Sequence, residues 1–344
     1  MNRKDTNYLN IMKGMCIILV VFGHSIVPSM RENNHILQAI WNFIYLFHMP
    51  VFFFVSGYLF EINKNRYSNT KEFITKKFQL LMIPYFVYSI ISYIGINVCT
   101  QIPKLNSILS SSGYFYTNLK NTIIQILTYQ QHMDKHIWFV YALFIIFVIN
   151  IFLKKKSTYQ TGFFMIVVYM IIALLCNLIF IPDLLIKVSL YCIYFYFGRL
   201  FININEIHAD NKKSILIVLL FLILAVLQSI NPKSINVIID QLKLIILGFL
   251  GIYATIFVSK YIEKNNIFYK VFNFFNIYSY DIYLIHQPFI VSGLCGVLMK
   301  FTTFSMYSIV VIGTVIGIVI PIIVSKYILR KNKYLSFLFL GNRM

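Results

Sequence analysis

Residues 9–28 read LNIMKGMCIILVVFGHSIVP, twenty residues with no acid and with Lys13 and His24 as their only basic side chains. At 1.5 Å per residue, a helix of about 20 residues spans about 30 Å, the hydrocarbon thickness of a bilayer. No small-residue cleavage site follows, so the run is expected to stay as a start-transfer helix. Outward from it come nine more apolar runs, at 36–60, 78–99, 137–153, 162–181, 184–202, 214–230, 237–259, 278–299 and 305–329. Lipid offers no partner for backbone N–H and C=O groups, so each run must satisfy its own and is expected to be helical. The expected fold is all-α and polytopic, an integral membrane protein with about ten transmembrane helices. The second run is long enough to tilt or bend, and Pro50 supplies a reason for a kink.

Composition agrees. Hydrophobic residues make up 59% of the 344 residues and charged residues 12%, and mean hydropathy is +0.75. A soluble globule carries about 25% charged residues, so soluble, fibrous and disordered classes are excluded. Of the Lys and Arg residues in connections, nineteen fall on the side of the N-terminus, among them Lys64, Lys76, Lys77, Lys154 and Arg330; seven fall on the other side, among them Arg31, Lys104 and Lys300. The positive-inside rule then puts both termini in the cytoplasm. It also accounts for the net charge of +19 without a nucleic-acid partner. The long extracytoplasmic loop, 100–136, is expected to hold Ser110–Gly113 and an amphipathic stretch from Tyr114 to Tyr129. The five cysteines (Cys16, Cys99, Cys176, Cys192, Cys295) lack paired short spacings, so free thiols are expected. Asp and Glu number eleven and fall mostly in loops, which argues against chemistry built on paired carboxylates.

An ionisable group within a span costs several kcal/mol unless it faces a cavity or partner, so each is a candidate functional residue. Lys13 and His24 are eleven positions apart, three helical turns plus about 20°, so they share a face with about 16 Å between them. The second run holds His48-Met49-Pro50, then Ser56-Gly57, a small-residue pair that lets helices approach closely. The ninth carries SYDIYLIHQP, Ser279 to Pro288, with Asp281 suited to pair with a cation and His286 near its end. Lys13, Lys76, Lys77 and Arg199 gather at cytoplasmic ends, where a polyanion such as a nucleotide-bearing cofactor would find charge-assisted hydrogen bonds. His132 and His136 stand at i, i+4 but lack the glutamate of HExxH, and no metal site is expected. Walker, GxGxxG and GxSxG patterns are absent from the sequence.

Taken in order, these residues resemble the membrane-bound acyltransferase family 3, which acylates sugars of bacterial surface polysaccharides and related molecules. Lys13 and His24 match its first-span pattern of a basic residue, ten positions and a histidine. His48 to Leu59 resembles the second-span signature of the branch related to fucose 4-O-acetylases. Lys76, Lys77 and Pro84 resemble its third-span entry, His136-Ile137-Trp138-Phe139 its fourth, and Ser279 to Pro288 its late span. The family often has arginine where Lys13 and the third-span lysines stand; lysine offers a point charge in place of a bidentate fork.

The resemblance implies an O-acyltransferase that moves an acetyl group from cytoplasmic acetyl-CoA to a sugar hydroxyl of a surface polysaccharide or its lipid-linked precursor. It implies a single transmembrane acyltransferase domain over 1–344, in the plasma membrane, without the fused soluble esterase-like domain that some members carry. An alcohol is a weak nucleophile, and histidine, with an ordinary pKa of about 6.5, can take its proton in the transition state. His24 is expected to be that base, with Lys13 on the same helix face as a second catalytic candidate. Lys13, Lys76, Lys77 and Arg199 are expected to hold the phosphates of CoA, the acyl donor, with no tightly bound cofactor. His48, Ser56, His136, Trp138, Asp281 and His286 are further site candidates. The rival class is a transporter, flippase or export component for a lipid-linked sugar. That class would favour two matching halves with broken helices, and no internal repeat is found.

Overall fold

The computed structural model describes residues 6–111, 115–129, 135–152, 159–178, 183–202, 211–232 and 237–341. His132, the Ser112-Gly113 part of the long loop, Lys154 and Lys233 lie outside them. Within them the chain is almost wholly helical and holds no strand, as a backbone immersed in lipid requires.

The helices in chain order are α1 (Asn7–Ser25), α2 (Pro28–Asn33), α3 (His35–Tyr45), α4 (His48–Asn63), α5 (Thr70–Lys77), α6 (Ile83–Thr100), α7 (Pro103–Ser111), α8 (Leu119–Thr128) and α9 (Trp138–Phe152). They continue with α10 (Tyr159–Leu178), α11 (Asp183–Phe201), α12 (Asn211–Ile230), α13 (Val237–Glu263), α14 (Asn266–Ile277), α15 (Ser279–Ile285), α16 (Leu294–Phe301), α17 (Met306–Tyr327) and α18 (Lys333–Leu340).

Eight helical stretches among the described residues are long and apolar enough to cross a membrane, against about ten expected. A ninth is the bent pair Ser279–Ile285 and Phe289–Phe301, which meet at 58°. The break has a cause in sequence: Pro288 brings no N–H to the helical ladder, so α15 stops after seven residues. The remaining expected span, 162–181, falls on α10, where Gly162–Ile172 forms a shorter apolar helix. The second span is interrupted just before Pro50, as a proline that disturbs the turn preceding it predicts. The chain turns at Leu46 and Phe47, between α3 and α4, and Pro50 sits in the first turn of α4. There its missing N–H is one of those that no helix start can pair.

The chain clusters into two compact units. The first comprises residues 1–19, 38–70 and 148–277, the second 20–37, 71–147 and 278–344. In the first unit α4 and α11 run backbone to backbone. A Cβ at Gly57 would stand 1.8 Å from the carbonyl oxygen of Phe195, and one at Gly198 would stand 2.0 Å from that of Phe54. The small-residue contact expected at Ser56-Gly57 is therefore carried by Gly57, while Ser56 is half-buried. Phe221 and Ala225 of α12 pack on Leu247 and Ala254 of α13. The amphipathic α14 is tied to α1 by Tyr269, whose hydroxyl reaches Asn7 Oδ1 at 3.1 Å.

In the second unit α17 lies against the end of α1, where Ser25 Oγ is 3.3 Å from Thr314 Oγ1. Gly313 permits the approach, since a Cβ there would come 3.2 Å from Ser25 Oγ, and 2.6 Å from Cys295 Sγ of α16. The described part of the 100–136 loop is built rather than slack. Asn97 on α6 donates to the Thr117 carbonyl at 2.9 Å and accepts from its N–H at 3.2 Å. Tyr85 holds the Ile126 carbonyl of α8 at 2.7 Å. Cys16, Cys99, Cys192 and Cys295 are free thiols, as expected.

Candidate functional site

Three of the histidines singled out by sequence meet in the second unit. His24 comes from the last turn of α1, His136 from the short turn Lys135–Ile137 ahead of α9, and His286 from just beyond α15. Their ring centres are 5.2 Å apart for His24 and His286, 4.8 Å for His136 and His286, and 6.1 Å for His24 and His136. His136 and His286 are buried, while His24 is half-buried and the most accessible of the three.

The break at Pro288 builds this arrangement. A helix end leaves its last carbonyls without intrahelical donors, and basic side chains suit those positions. His286 Nδ1 lies 3.0 Å from the Ile282 carbonyl and 2.9 Å from that of Tyr283. Carbonyls only accept, so Nδ1 carries the proton and donates. In the neutral ring Nε2 then keeps its lone pair, and this buried atom has no hydrogen-bond partner. His136 uses its other edge: Nε2 donates to the same Tyr283 carbonyl at 3.0 Å. The Tyr283 hydroxyl donates back to the His136 carbonyl. Tyr283 thus fixes both rings. It lies within the Ser279–Pro288 stretch, yet the rings are held by its carbonyl, which residue type alone cannot signal.

Asp281, five residues before His286, finds the cation expected for it. Its Oδ2 accepts from Arg330 Nε at 2.9 Å, from Nη2 at 2.6 Å and from Ser325 Oγ at 2.5 Å. Asp281 is fully buried, and Arg330 fastens the chain end of α17 to the first turn of α15. Trp138 is half-buried at the head of α9 beside Phe139, their ring centres 6.4 Å apart.

The other candidates are placed elsewhere. His48 is buried in the first unit, where Nδ1 donates to the Ile44 carbonyl at 2.7 Å and the ring meets Tyr45 edge-on at 4.7 Å. Arg199, expected at the surface to grip phosphate, is fully buried in that unit. Its Nε donates to Glu61 Oε2 at 3.0 Å and its Nη1 to Asn150 Oδ1 at 2.8 Å, with Phe60 and Tyr196 flanking the guanidinium. A charge so paired and so enclosed is committed to its neighbours, and Arg199 is withdrawn from the donor-binding group. Glu61, counted with the loop acids in sequence, is the partner that reading missed. Lys13 is half-buried on α1 in the first unit. Lys76 and Lys77 belong to the second unit: Lys76 is exposed and paired with Glu72 at 2.6 Å, while Lys77 Nζ lies 4.2 Å above the Phe147 ring. Among the described residues no group of three or more His, Cys, Asp or Glu is placed to hold a metal ion. A cleft of about 440 Å³ opens between α12 and α13 of the first unit, lined by residues such as Leu224, Gln228 and Lys243, and none of the candidates lines it.

A family model described as an acyltransferase domain, the third of that name, matches residues 6–326. The nodulation protein NolL of Sinorhizobium fredii (strain NBRC 101917 / NGR234) is 42% identical over 60 residues, 17% of this chain and 16% of its own length. The inner membrane protein YcfT of Escherichia coli (strain K12) is 43% identical over 63 residues, 15% of this chain and 18% of its own. The chain therefore spans less than a fifth of either curated relative. No solved structure matches it.

Proposed function

This chain belongs to the acyltransferase family 3 and is a multi-pass membrane acyltransferase, and from that premise we propose that it moves an acetyl group from acetyl-CoA to a sugar hydroxyl. The acceptor is a surface polysaccharide or its lipid-linked precursor. The membrane is the plasma membrane, with both termini cytoplasmic, a reading the Lys and Arg distribution supports. The observation that carries the reading is the meeting of His24, His136 and His286 in one unit, with His24 the most accessible. A reaction that must take a proton from an alcohol needs a basic side chain within hydrogen-bond reach of it.

His24 acts as that base. The hydroxyl proton moves to a ring nitrogen as the hydroxyl oxygen bonds to the thioester carbon. The C–S bond then breaks, and the proton passes from the imidazolium to the departing sulfur. The products are the acetyl ester and free CoA thiol, and no electron is gained or lost. The developing oxyanion needs hydrogen-bond donors nearby. Lys13 in the first unit and Lys76 and Lys77 in the second are separate candidates for holding the phosphates of the donor, each testable alone.

In deletion cells complemented with wild type, proton NMR of the surface polysaccharide shows a base-labile acetyl signal. His24→Ala loses it, with the transfer rate down about 10²–10⁴-fold, as removal of a general base predicts. Lys13→Ala keeps the signal and raises the requirement for acetyl-CoA. If polymer amount or export changes while acetylation does not, the reading fails and a transport role replaces it.

A further inference from the structure

One buried ring nitrogen in the second unit is left over by the transfer step at His24. His286 is fully buried, both of its Nδ1 contacts are to carbonyls, and Nε2 meets no donor. A buried acceptor left unpaired costs about 1–3 kcal/mol, so an atom in that state calls for a reason. His136 cannot supply the missing donor. In the neutral ring its one N–H is on Nε2, already given to Tyr283. The remaining ring is His24, 5.2 Å from His286 centre to centre with the planes tilted by 56°. That spacing is close to the one at which two facing ring nitrogens are a hydrogen bond apart, so a small turn of the half-buried His24 ring closes it.

A histidine that takes a proton on one nitrogen must carry an N–H on the other, and active sites fix that arrangement with a third group that accepts it. A carboxylate usually fills the place. Here the acid nearest in the chain, Asp281, gives its Oδ2 to Arg330 and Ser325 while its Oδ1 meets no donor, so it holds none of the three rings. We propose that His286 is a positioning residue whose Nε2 accepts the N–H of His24, holding His24 in the tautomer whose other nitrogen faces the acceptor hydroxyl. The proposal rests on the reading of His24 as the base. His286 takes no proton in the step: it keeps its own on Nδ1 and stabilises the His24 imidazolium through one hydrogen bond.

The test uses the full chain in lipid nanodiscs with 15N-labelled histidine. The His24 ring signals are those missing from His24→Ala. Wild type shows His24 in a single neutral tautomer, His286→Ala shows a mixture, and His286→Gln, whose side-chain oxygen still accepts, returns it towards one. With radiolabelled acetyl-CoA and membranes of the deletion strain as acceptor, His286→Ala lowers kcat about 10- to 100-fold, in the range seen when a partner that orients a histidine is removed. KM for acetyl-CoA stays unchanged, and His286→Gln recovers part of the loss. A mixed tautomer for His24 in wild type overturns the proposal without reference to any variant's folding. So does an unchanged His24 tautomer in His286→Ala, or equal kcat in wild type and His286→Ala while His24→Ala is inactive. If wild type itself transfers no acetyl group, the acetyl-transfer reading falls, and the tautomer measurement still decides the pairing of the two rings.

Discussion

His48 and His286 stand in the same local setting, one in each unit. Each lies two residues before a proline, and each donates Nδ1–H to the carbonyl four residues back, Ile44 in one case and Ile282 in the other. In both places the chain is leaving or entering a helix beside a residue that brings no N–H, and the imidazole fills a carbonyl. The difference is in the company. His48 meets the edge of Tyr45, whereas His286 is enclosed with two further imidazoles and keeps a nitrogen without a partner. Arg199, Glu61 and Asn150 of the first unit satisfy one another, whereas the histidine cluster of the second leaves an acceptor open. A histidine before a proline is thus a structural plug by itself. It becomes part of a site when distant segments bring other basic groups to its free edge.

The largest effect that would sharpen this contrast is expected at Glu61. Replacing it with Ala leaves the Arg199 guanidinium enclosed without its carboxylate, and breaking a buried ion pair from one side costs about 3–5 kcal/mol. Thermal unfolding of the detergent-solubilised protein should fall accordingly. Converting the pair together, Glu61→Leu with Arg199→Met, should recover most of that loss and keep acyl transfer. A stable but inactive double variant would break the comparison, because the first unit's charges would then serve the reaction as well as the fold.

A smaller effect is expected at His48. His48→Ala removes one buried donor and leaves the Ile44 carbonyl with the Phe47 N–H at 3.3 Å alone, a loss of about 1 kcal/mol. The unfolding midpoint should drop while kcat per folded molecule stays within about twofold of wild type. His286→Ala should show the opposite balance, with kcat falling more than stability. Equal kcat losses at both histidines would erase the distinction between plug and site.

Much of the fold was legible because lipid permits so few backbone solutions. Among the described residues every apolar run falls on helix, and the soluble classes failed on charge content alone. Span ends and breaks were less legible. The turn at Leu46 and Phe47 precedes the proline associated with it, and α15 is too short to be read apart from the run that contains it. At the site, residue type and position pointed to His24, His136 and His286 one by one. Their meeting depends on contacts between segments more than a hundred positions apart, which no local pattern reports. Arg199 was misassigned for the same reason: its positive charge was visible, but the Glu61 carboxylate that absorbs it lies 138 positions away.

The least of the expected effects concerns two neighbours within the second unit, Lys76 and Lys77. Sequence treats them alike. The structure separates them, with Lys76 58% exposed and joined to Glu72 across one helical turn, and Lys77 folded over Phe147 and Phe73. An exposed i,i+4 pair is worth a few tenths of a kcal/mol, so Glu72 does not prevent Lys76 from turning to a phosphate. A cation above a ring gives up about 0.5–2 kcal/mol when it leaves, which holds Lys77 in place. Lys76→Ala should therefore raise KM for acetyl-CoA a few-fold, with the difference shrinking as salt is added and screening rises. Lys77→Ala should leave KM nearly unchanged and lower the unfolding midpoint slightly. The reverse pattern, with KM moved by Lys77 and not by Lys76, would mean that donor binding pulls Lys77 off its rings, and this face would then have to rearrange when CoA arrives.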